Sequence, residues 1–345
     1  MLGAGVSMQT GTFAPPSANA AIVTTARNAG EMINSFVAYH LAIGFARLFI
    51  FFDDPADPDL PCLAAHPQIT AIAHDGALRR EWETLPEYAE HRAFLDSEVM
   101  ARQVLNAGIA MKRARDMGLD WLLHIDADEL FFSPNQSVAE HLAGAGAERA
   151  DTAQYPNFEA VPEKADIADA FREVDLFKIP PALNPGPFTD EGVELLRATP
   201  QLPQGLFFHF YSNGKSAVRL GAAAARPNGV HRFCHGTRET VTARNCDAYI
   251  LHYACSGFES FWQKYRTLGH FADRWLEKDD IRQAIGPLHL DARDVVATGD
   301  RDAALAFYRQ RIAIEDRGRA DALIGHGVLL RIAQPRMLLE RLRAP

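Results

Sequence analysis

Three carboxylates lie between two apolar stretches in the segment WLLHIDADELFF, which runs from Trp121 to Phe132. Asp126 and Asp128 are two residues apart, and such residues point to the same side at the end of a strand. Two carboxylates that close together repel each other, so one takes up a proton unless a cation lies between them. Mg²⁺ and Mn²⁺ bind carboxylate oxygens together with substrate phosphates. The spacing therefore indicates a metal–diphosphate site, with a solvated turn of helix-capping aspartates as the alternative.

The elements around this D-x-D segment alternate between strand and helix patterns. Strands are predicted at AIVTTAR, ARLFIFFDD, ITAIAHD and DWLLHIDAD, and helices at EMINSFVAYHLAIG and from about Leu95 to Met117. Such alternation predicts an α/β fold, a mostly parallel sheet with flanking helices. Ligands of these sheets bind beyond the carboxyl ends of the strands. Asp53, Asp75 and the D-x-D follow three of these ends, so we expect a shared acidic edge.

The second half of the chain has a different pattern. Asn213-Gly214 between two apolar runs predicts a hairpin, and AYILHYA predicts a further strand. Ser256 with Glu259 three residues later predicts a capping box at the start of a helix. The expected organisation is a loose leader over 1–20, the α/β domain over 21–256 and a helical region over 257–345 that packs on it.

Composition limits the classes of partner. The chain has 345 residues, a net charge of −9 and no dense Lys/Arg run, which argues against nucleic-acid binding. The four cysteines form no CxxC pair, and we expect buried thiols in a reducing compartment. His231, Cys234 and His235 are close in sequence, but a zinc site would need a fourth ligand that the sequence does not assign.

The targeting signals of a membrane or secreted protein are not recognisable. A transmembrane helix requires about 18–20 apolar residues, and no stretch is that long. The first residues lack a basic start followed by an apolar segment, so they do not resemble a signal peptide. The C-terminal stretch GVLLRIAQPRMLLERLRAP predicts a docked helix. We therefore expect a cytoplasmic protein with at most peripheral membrane contact, at the cytoplasmic face.

Four segments share their pattern with one known family: TTARNAGEMINSFVAYHLAIGFARLFIFFDD, RQVLNAGIAMKRARDMGLDWLLHIDADELFF, NGKSAVR and ILHYACSGFESFWQKY. Through the combination of these four segments, the chain resembles the family 2-like glycosyltransferases of the GT-A fold, which are also close to family 92. It departs from them at Asn28-Ala29, where the family usually has Asn-Glu. The resemblance implies a GT-A (Rossmann-like) sheet and a metal-dependent transfer of a sugar to an acceptor hydroxyl. Inversion is expected by analogy alone.

The resemblance implies a metal site. In the family the D-x-D holds the cation that bridges the phosphates of the sugar nucleotide, which makes Asp126 and Asp128 metal ligands. Asp128 would be the direct ligand and Asp126 would lie nearer the ribose or the sugar. His252 matches the late histidine that completes the metal site, with His231 as its rival. The implied cofactor is Mn²⁺ or Mg²⁺.

The resemblance also implies a donor site for a nucleoside-diphosphate sugar. Arg27 and Asp53 lie where the first and second strand ends usually enclose the nucleoside, and Asp75 occupies a matching third position. Lys215 and Arg219 would neutralise the diphosphate as it leaves. The expected partners are a nucleotide sugar and a glycan, lipid-linked or small-molecule acceptor.

The sequence gives the least information about the base that removes the acceptor proton. An inverting transfer requires a carboxylate for this step. Our prediction is Glu159, with Glu163, Asp190 and Glu191 as further candidates. Glu129 follows the D-x-D and is expected to orient the side chains that bind the ligand, without contacting the ligand itself.

Two other functions remain open from the sequence. A phosphatase of the haloacid dehalogenase type also places a D-x-D at a strand end, but on the first strand and followed by Thr or Val. Here the motif follows about the fourth strand and precedes Glu129-Leu130. The second alternative is a non-catalytic nucleotide- or sugar-binding protein with the same fold.

Overall fold

The structure is a computed structural model, and it describes residues 18–147, 149–179, 183, 189–202, 213–221, 224–243, 247–268 and 287–343. The strands of these ranges are β1 (Ala20–Ala26), β2 (Arg47–Phe52), β3 (Ile69–Ala73), β4 (Trp121–His124), β5 (Glu129–Phe132), β6 (Thr152–Tyr155), β7 (Asn157–Ala160), β8 (Leu176–Lys178), β9 (Lys215–Arg219), β10 (Ala225–Asn228), β11 (Arg232–His235), β12 (Thr242–Ala243), β13 (Tyr249–His252) and β14 (Leu329–Arg331).

The helices of the same ranges are α1 (Glu31–Ala42), α2 (Leu60–Ala64), α3 (Gly76–Trp82), α4 (Tyr88–His91), α5 (Val99–Asp116), α6 (Val138–Ala147), α7 (Ala170–Glu173), α8 (Asp190–Arg197), α9 (Phe258–Leu268), α10 (Pro287–Ala297), α11 (Arg301–Arg311), α12 (Arg317–Gly325) and α13 (Gln334–Arg343), with a 3₁₀ turn at Arg92–Phe94. Within the described ranges, none of these helices is long and apolar enough to cross a bilayer.

A seven-stranded sheet forms the centre of the molecule, in the order β12-β6-β9-β4-β1-β2-β3. β1, β2, β3 and β4 run parallel, whereas β9 is antiparallel to both of its neighbours, β4 and β6. The predicted α/β fold is confirmed, with the difference that the sheet becomes mixed beyond β4. The strand predicted before Asn213 lies outside the described residues, so the structure shows only the β9 side of that hairpin.

Both faces of this sheet are covered, which explains why its central strands are continuously apolar. Ile22 of β1 belongs to the same buried cluster as Phe36 of α1. Val23 of β1 and Phe49 of β2 belong to the cluster on the other face, together with Leu105 of α5. The helices predicted at these two places are therefore the two layers that enclose the sheet.

A second sheet of five strands, in the order β14-β8-β7-β13-β5, begins directly after the D-x-D. β13 is antiparallel to β5 and parallel to β7. The edge strand β14 comes from the C-terminal region and pairs with β8. The described residues after Gly257 form helices and this one strand, in which Leu329 is buried, as is Val328 before it.

The aromatic residues of α9 pack in a separate core cluster with α10 and α11. Phe261, Trp262 and Tyr265 are buried there, beside Tyr308. The capping box predicted at the start of α9 is wrong, because the Ser256 hydroxyl has no hydrogen-bond partner among the described residues. The start of the helix is anchored instead by the Gly257 amide, which donates to the Tyr308 hydroxyl at 2.8 Å.

The predicted leader and the predicted buried thiols include residues that the structure does not describe. Residues 1–17 of the predicted leader and Cys246 lie outside the described residues. Cys62, Cys234 and Cys255 are free thiols. Cys255 is buried but Cys62 is exposed, so the prediction that the thiols are buried is wrong for Cys62.

Candidate functional site

The D-x-D lies where the order of the strands reverses. β1 is followed along the chain by β2 and β3 on one side, and β4 lies on the other side of β1. Side chains after the carboxyl ends of β1 and β4 therefore border a crevice, which is where open parallel sheets bind their ligands. Arg27 follows β1 at this edge, and Asp126 follows β4.

Asp126 is held by two donors from different elements. Gln103 of α5 donates from Nε2 to Oδ1 at 2.7 Å, and Lys215 of β9 donates from Nζ to Oδ2 at 2.6 Å. Burial raises the pKa of the Asp126 carboxyl, but the Lys215 ammonium outweighs burial and the pKa lies well below its usual value. Asp126 is therefore an ionised carboxylate with both oxygens engaged.

Lys215 is placed by a close backbone approach at the start of β9. Gly214 has φ +65°, and a Cβ there would lie 1.9 Å from the Tyr155 carbonyl oxygen, so only glycine fits. The Lys215 side chain is fully buried, and its ammonium also lies 3.6 Å from a Glu129 oxygen. Because the ammonium is enclosed by these two carboxylates, it is not positioned to meet a diphosphate in the crevice.

Glu129 closes the turn that carries the D-x-D. The Asp126 amide donates to its Oε2 at 2.7 Å, and the Glu129 amide donates to the Asp126 carbonyl at 3.1 Å. The side chain is completely buried, and burial raises its pKa well above the usual range. This is the bracing position expected from the sequence.

Asp128 points toward different partners from those of Asp126. Its Oδ2 accepts a hydrogen bond from Lys264 Nζ at 3.3 Å and lies 3.8 Å from His252 Nε2. The side chain of Asp128 is 30% exposed and that of Lys264 is 28% exposed, so this ion pair is partly open to solvent beside the D-x-D. Burial lowers the pKa of His252 to about 4, so its imidazole is neutral at pH 7.

A row of buried polar residues crosses the second sheet beneath Asp128. The strand registers place Glu129, His252, Glu159 and Lys178 side by side on neighbouring strands. Residues paired in this way point to the same face of a sheet. Lys178 Nζ lies 2.5 Å from Glu159 Oε1, and the two side chains are 2% and 1% exposed. Glu159, the predicted base, therefore lies in an ion pair inside the molecule.

Asp53 is the centre of a second charged group, at the end of β2. Arg102 of α5 donates to both of its oxygens, from Nη2 at 2.8 Å and from Nε. Arg27 reaches the same carboxylate at 3.5 Å and is 48% exposed. Asp53 and Arg27 thus lie together at the ends of β1 and β2, and their predicted role in enclosing the nucleoside stays a prediction.

Two other predicted residues have separate environments. Asp75 caps α3, where it accepts hydrogen bonds from the Ala77 and Leu78 amides. Arg219 pairs with Trp121 at the opposite end of β4 from Asp126. Arg219 lies four positions along the strand from Lys215, a distance of roughly 13 Å. The structure does not bring Arg219 to the D-x-D.

The residues present do not fit a divalent metal in this arrangement. An ammonium group already lies against each aspartate, Lys215 against Asp126 and Lys264 against the Asp128 oxygen that faces His252, and both would repel a divalent cation there. His231, the rival ligand, has its Nδ1 3.0 Å from the Gly214 carbonyl oxygen, a contact that orients the ring and does not itself exclude a metal at Nε2. Within the described ranges, no three His, Cys, Asp or Glu side chains form a group that could hold a metal, and this includes the zinc candidates near Cys234.

Three residues of the site were missed from the sequence: Arg102, Gln103 and Lys264. Arg102 and Gln103 are consecutive polar residues on the buried side of α5, and buried charged or amide groups require partners. This signal can be used only when it is known which face of α5 packs against the sheet. Lys264 lies on a helix far along the chain from Asp128, and no local pattern links the two residues.

Comparison with known proteins finds two relatives in sequence, both glycosyltransferase-like proteins of Arabidopsis thaliana. One is 29% identical over 93% of this chain, and the other is 24% identical over 93%. The chain spans 72% and 63% of the length of these relatives. No family model matches the chain. The chain is thus related to glycosyltransferase-like proteins over most of its length.

Solved structures give weaker similarities. HddC from Yersinia pseudotuberculosis matches with a TM-score of 0.31 and 9% identity, over 70% of this chain and 96% of its own. A CMP:2-keto-3-deoxy-manno-octonic acid synthetase in complex with CTP matches with a TM-score of 0.26 and 14% identity, over 59% and 75%. Both scores are too low to indicate a shared fold.

Proposed function

We propose that this protein is a glycosyltransferase that moves a sugar from a nucleoside-diphosphate sugar to an acceptor hydroxyl. The observation that carries the proposal is the position of the D-x-D, directly after β4, the strand beside β1 at the reversal of the strand order. Its relatives are named as glycosyltransferase-like proteins, which agrees with it. The proposed acceptor is a glycan, a lipid-linked sugar or a small molecule.

The donor would lie across the crevice with its nucleoside at the ends of β1 and β2. Arg27 and Asp53 border that part of the edge, and Asp53 is fixed there by Arg102. Asp126 is oriented by Gln103 and Lys215, so it can accept a hydrogen bond from a ribose or sugar hydroxyl without moving. Side chains fixed in this way lose little entropy when the donor binds.

The transfer breaks the bond between the anomeric carbon and the diphosphate oxygen and forms a bond to the acceptor oxygen. The diphosphate leaves with negative charge, which a nearby cation stabilises, and the acceptor proton passes to a base. Lys264 is the cation beside the partly exposed carboxylate of Asp128. We do not assign the base to Glu159, because Glu159 is 1% exposed and paired with Lys178. Inversion at the anomeric carbon remains part of the proposal by analogy.

The organisation of the chain is part of the same proposal. Residues 21–256 would form the unit that binds the donor, and the region after Gly257 would pack on it and supply Lys264. The acceptor would then enter from the side bordered by both parts. A membrane-bound acceptor would need only contact at the surface of the bilayer.

The test is direct binding of nucleotide sugars to the purified protein. UDP-, GDP-, ADP- and CMP-linked sugars are titrated by calorimetry, with excess EDTA and separately with MnCl₂. We expect one nucleotide class to bind, and Asp126→Asn to weaken it by about tenfold or more through the loss of a charged acceptor. Asp116→Asn, which changes an exposed aspartate on α5, is the matched control.

The outcome also separates the two alternative functions. Absence of binding by any nucleotide sugar in both buffers would refute the proposal. Binding without release of free nucleotide, across a panel of sugar and lipid acceptors, would favour the non-catalytic protein. Release of phosphate from simple phosphomonoesters, without nucleotide-sugar binding, would favour the phosphatase.

A further inference from the structure

Each carboxylate of the D-x-D has its own lysine, and the two lysines come from distant parts of the chain. Lys215 of β9 lies 2.6 Å from Asp126, and Lys264 of α9 lies 3.3 Å from Asp128. The repulsion between two neighbouring carboxylates, which in the sequence calls for a metal, is therefore already balanced by two ammonium groups of the protein.

The two lysines differ in what they can reach. Lys215 is fully buried between Asp126 and Glu129, whereas the side chain of Lys264 is 28% exposed beside Asp128. Lys264 also lies on a helix that is firmly packed, since its neighbour Tyr265 is buried in the cluster of α9, α10 and α11. The ammonium of Lys264 is thus held at the edge of the site by the C-terminal region.

A divalent cation and Lys264 would compete for the same atoms. Asp128 and His252 are the two predicted metal ligands that face each other, and Lys264 donates to the same Asp128 oxygen that lies near His252 Nε2. A metal at this position would lie within a few ångströms of the ammonium, where two positive charges repel strongly. The ammonium and the metal are alternatives rather than partners.

Resting on the glycosyltransferase function proposed above, we propose that Lys264 takes the place of the divalent cation and binds the diphosphate of the donor, so that nucleotide binding at this site needs no metal. An ammonium is a compact point charge that pairs well with phosphate oxygens. It remains within reach of Asp128, which orients it, while it donates to the phosphate. The metal prediction for Asp126, Asp128 and His252 is replaced by a lysine in this arrangement.

The experiment measures UDP, GDP, ADP and CDP binding by calorimetry in excess EDTA and in MnCl₂. The wild-type protein should bind its preferred diphosphate with the same affinity in both buffers. Lys264→Gln should bind it about 10- to 100-fold more weakly in EDTA, whereas Lys264→Arg should retain most of the affinity because the charge is kept. Lys112→Gln, an exposed lysine of α5, is the matched control and should equal wild type.

A second readout does not depend on the nucleotide. Removal of the Lys264 charge leaves Asp128 and His252 able to accept a metal, so Mn²⁺ should bind Lys264→Gln more tightly than wild type in electron paramagnetic resonance titrations. Thermal melts of each variant exclude unfolding as the cause. Equal Mn²⁺ binding by wild type and Lys264→Gln would contradict competition for one site and overturn the inference.

The two proposals fail in different ways. If wild-type protein binds a nucleoside diphosphate only when Mn²⁺ is present, Lys264 does not replace the metal, but the glycosyltransferase proposal stands. If Lys264→Gln binds the nucleoside diphosphate in EDTA as tightly as wild type does, Lys264 likewise does not replace the metal, and the glycosyltransferase proposal stands. If wild-type protein binds none of the nucleotides in either buffer, the proposed function is refuted, and the inference is refuted with it.

Discussion

Lys215 of β9 and Asp126 of the turn after β4 form a hydrogen-bonded ion pair of 2.6 Å, and the side chain of the lysine has no exposed surface. The carboxylate lies just beyond the end of β4, and the ammonium extends from the first residue of β9 beside it. Glu129 completes the group at 3.6 Å from the same ammonium. The charge of Lys215 therefore stabilises the D-x-D turn, in contrast to the predicted role of neutralising a leaving diphosphate.

This arrangement predicts that Lys215→Met destabilises the fold. The variant leaves the ionised Asp126 without its cation, and removal of one partner of a buried ion pair typically costs about 3–5 kcal/mol. The measurement is the free energy of unfolding in urea. Lys112→Met on the exposed side of α5 is the control and should change stability by less than about 0.5 kcal/mol. A value near that of the control would show that Lys215 does not hold the turn.

The pair of Arg102 and Asp53 predicts a second effect, on both stability and ligand binding. Arg102→Gln removes a bidentate partner from a carboxylate that is 3% exposed, and we expect a loss of about 2–4 kcal/mol in stability. Nucleotide binding should weaken as well, because Asp53 loses its fixed orientation at the crevice. The exposed Arg92→Gln is the matched control, and equal unfolding midpoints for the two variants would contradict the prediction.

The buried pair of Glu159 and Lys178 predicts strong energetic coupling. Glu159→Leu or Lys178→Met alone leaves one buried charge unpaired and should cost about 3–5 kcal/mol. The double variant should recover part of this loss, so a double-mutant cycle of unfolding free energies should give a coupling above about 1 kcal/mol. A catalytic base without a structural role would instead show a loss of activity, unchanged stability and additive single effects.

The pair of Asp151 and Arg238 predicts a dependence of stability on pH. Hydrogen bonds from Arg238, at 2.7 Å to each oxygen, hold the pKa of Asp151 below its ordinary value, although burial acts in the opposite direction. A depressed carboxyl pKa contributes stability above the unfolded pKa of about 4, and this contribution is lost as the pH falls through the folded pKa.

The comparison of Asp151→Asn with wild type tests this dependence. At pH 7 the variant should be about 1–3 kcal/mol less stable, because the charge-assisted hydrogen bonds are lost. The difference between the two unfolding free energies should shrink as the pH falls below about 4. A difference that stays constant across this range would show that Asp151 does not titrate with a shifted pKa.

Much of the α/β core follows from local patterns in the sequence. β1, β2, β3, α1 and α5 lie close to their predicted positions, because apolar periodicity reports which faces of an element are buried. The capping box at Ser256 was wrong for a tertiary reason. A hydroxyl of α11, that of Tyr308, satisfies the Gly257 amide near the start of the helix, so the Ser256 hydroxyl is not used.

The sequence was sufficient to place Asp126 and Asp128 together at the carboxyl end of a buried strand, since that depends only on a short apolar run and a spacing of two. It was not sufficient to identify their partners. Lys264 is 136 residues from Asp128, and Gln103 reaches Asp126 from a helix on the face of the sheet. Such contacts, and the burial that separates the structural Lys215 from the accessible Lys264, arise from the packing of elements that are distant along the chain. Packing therefore determined which charges balance the two aspartates.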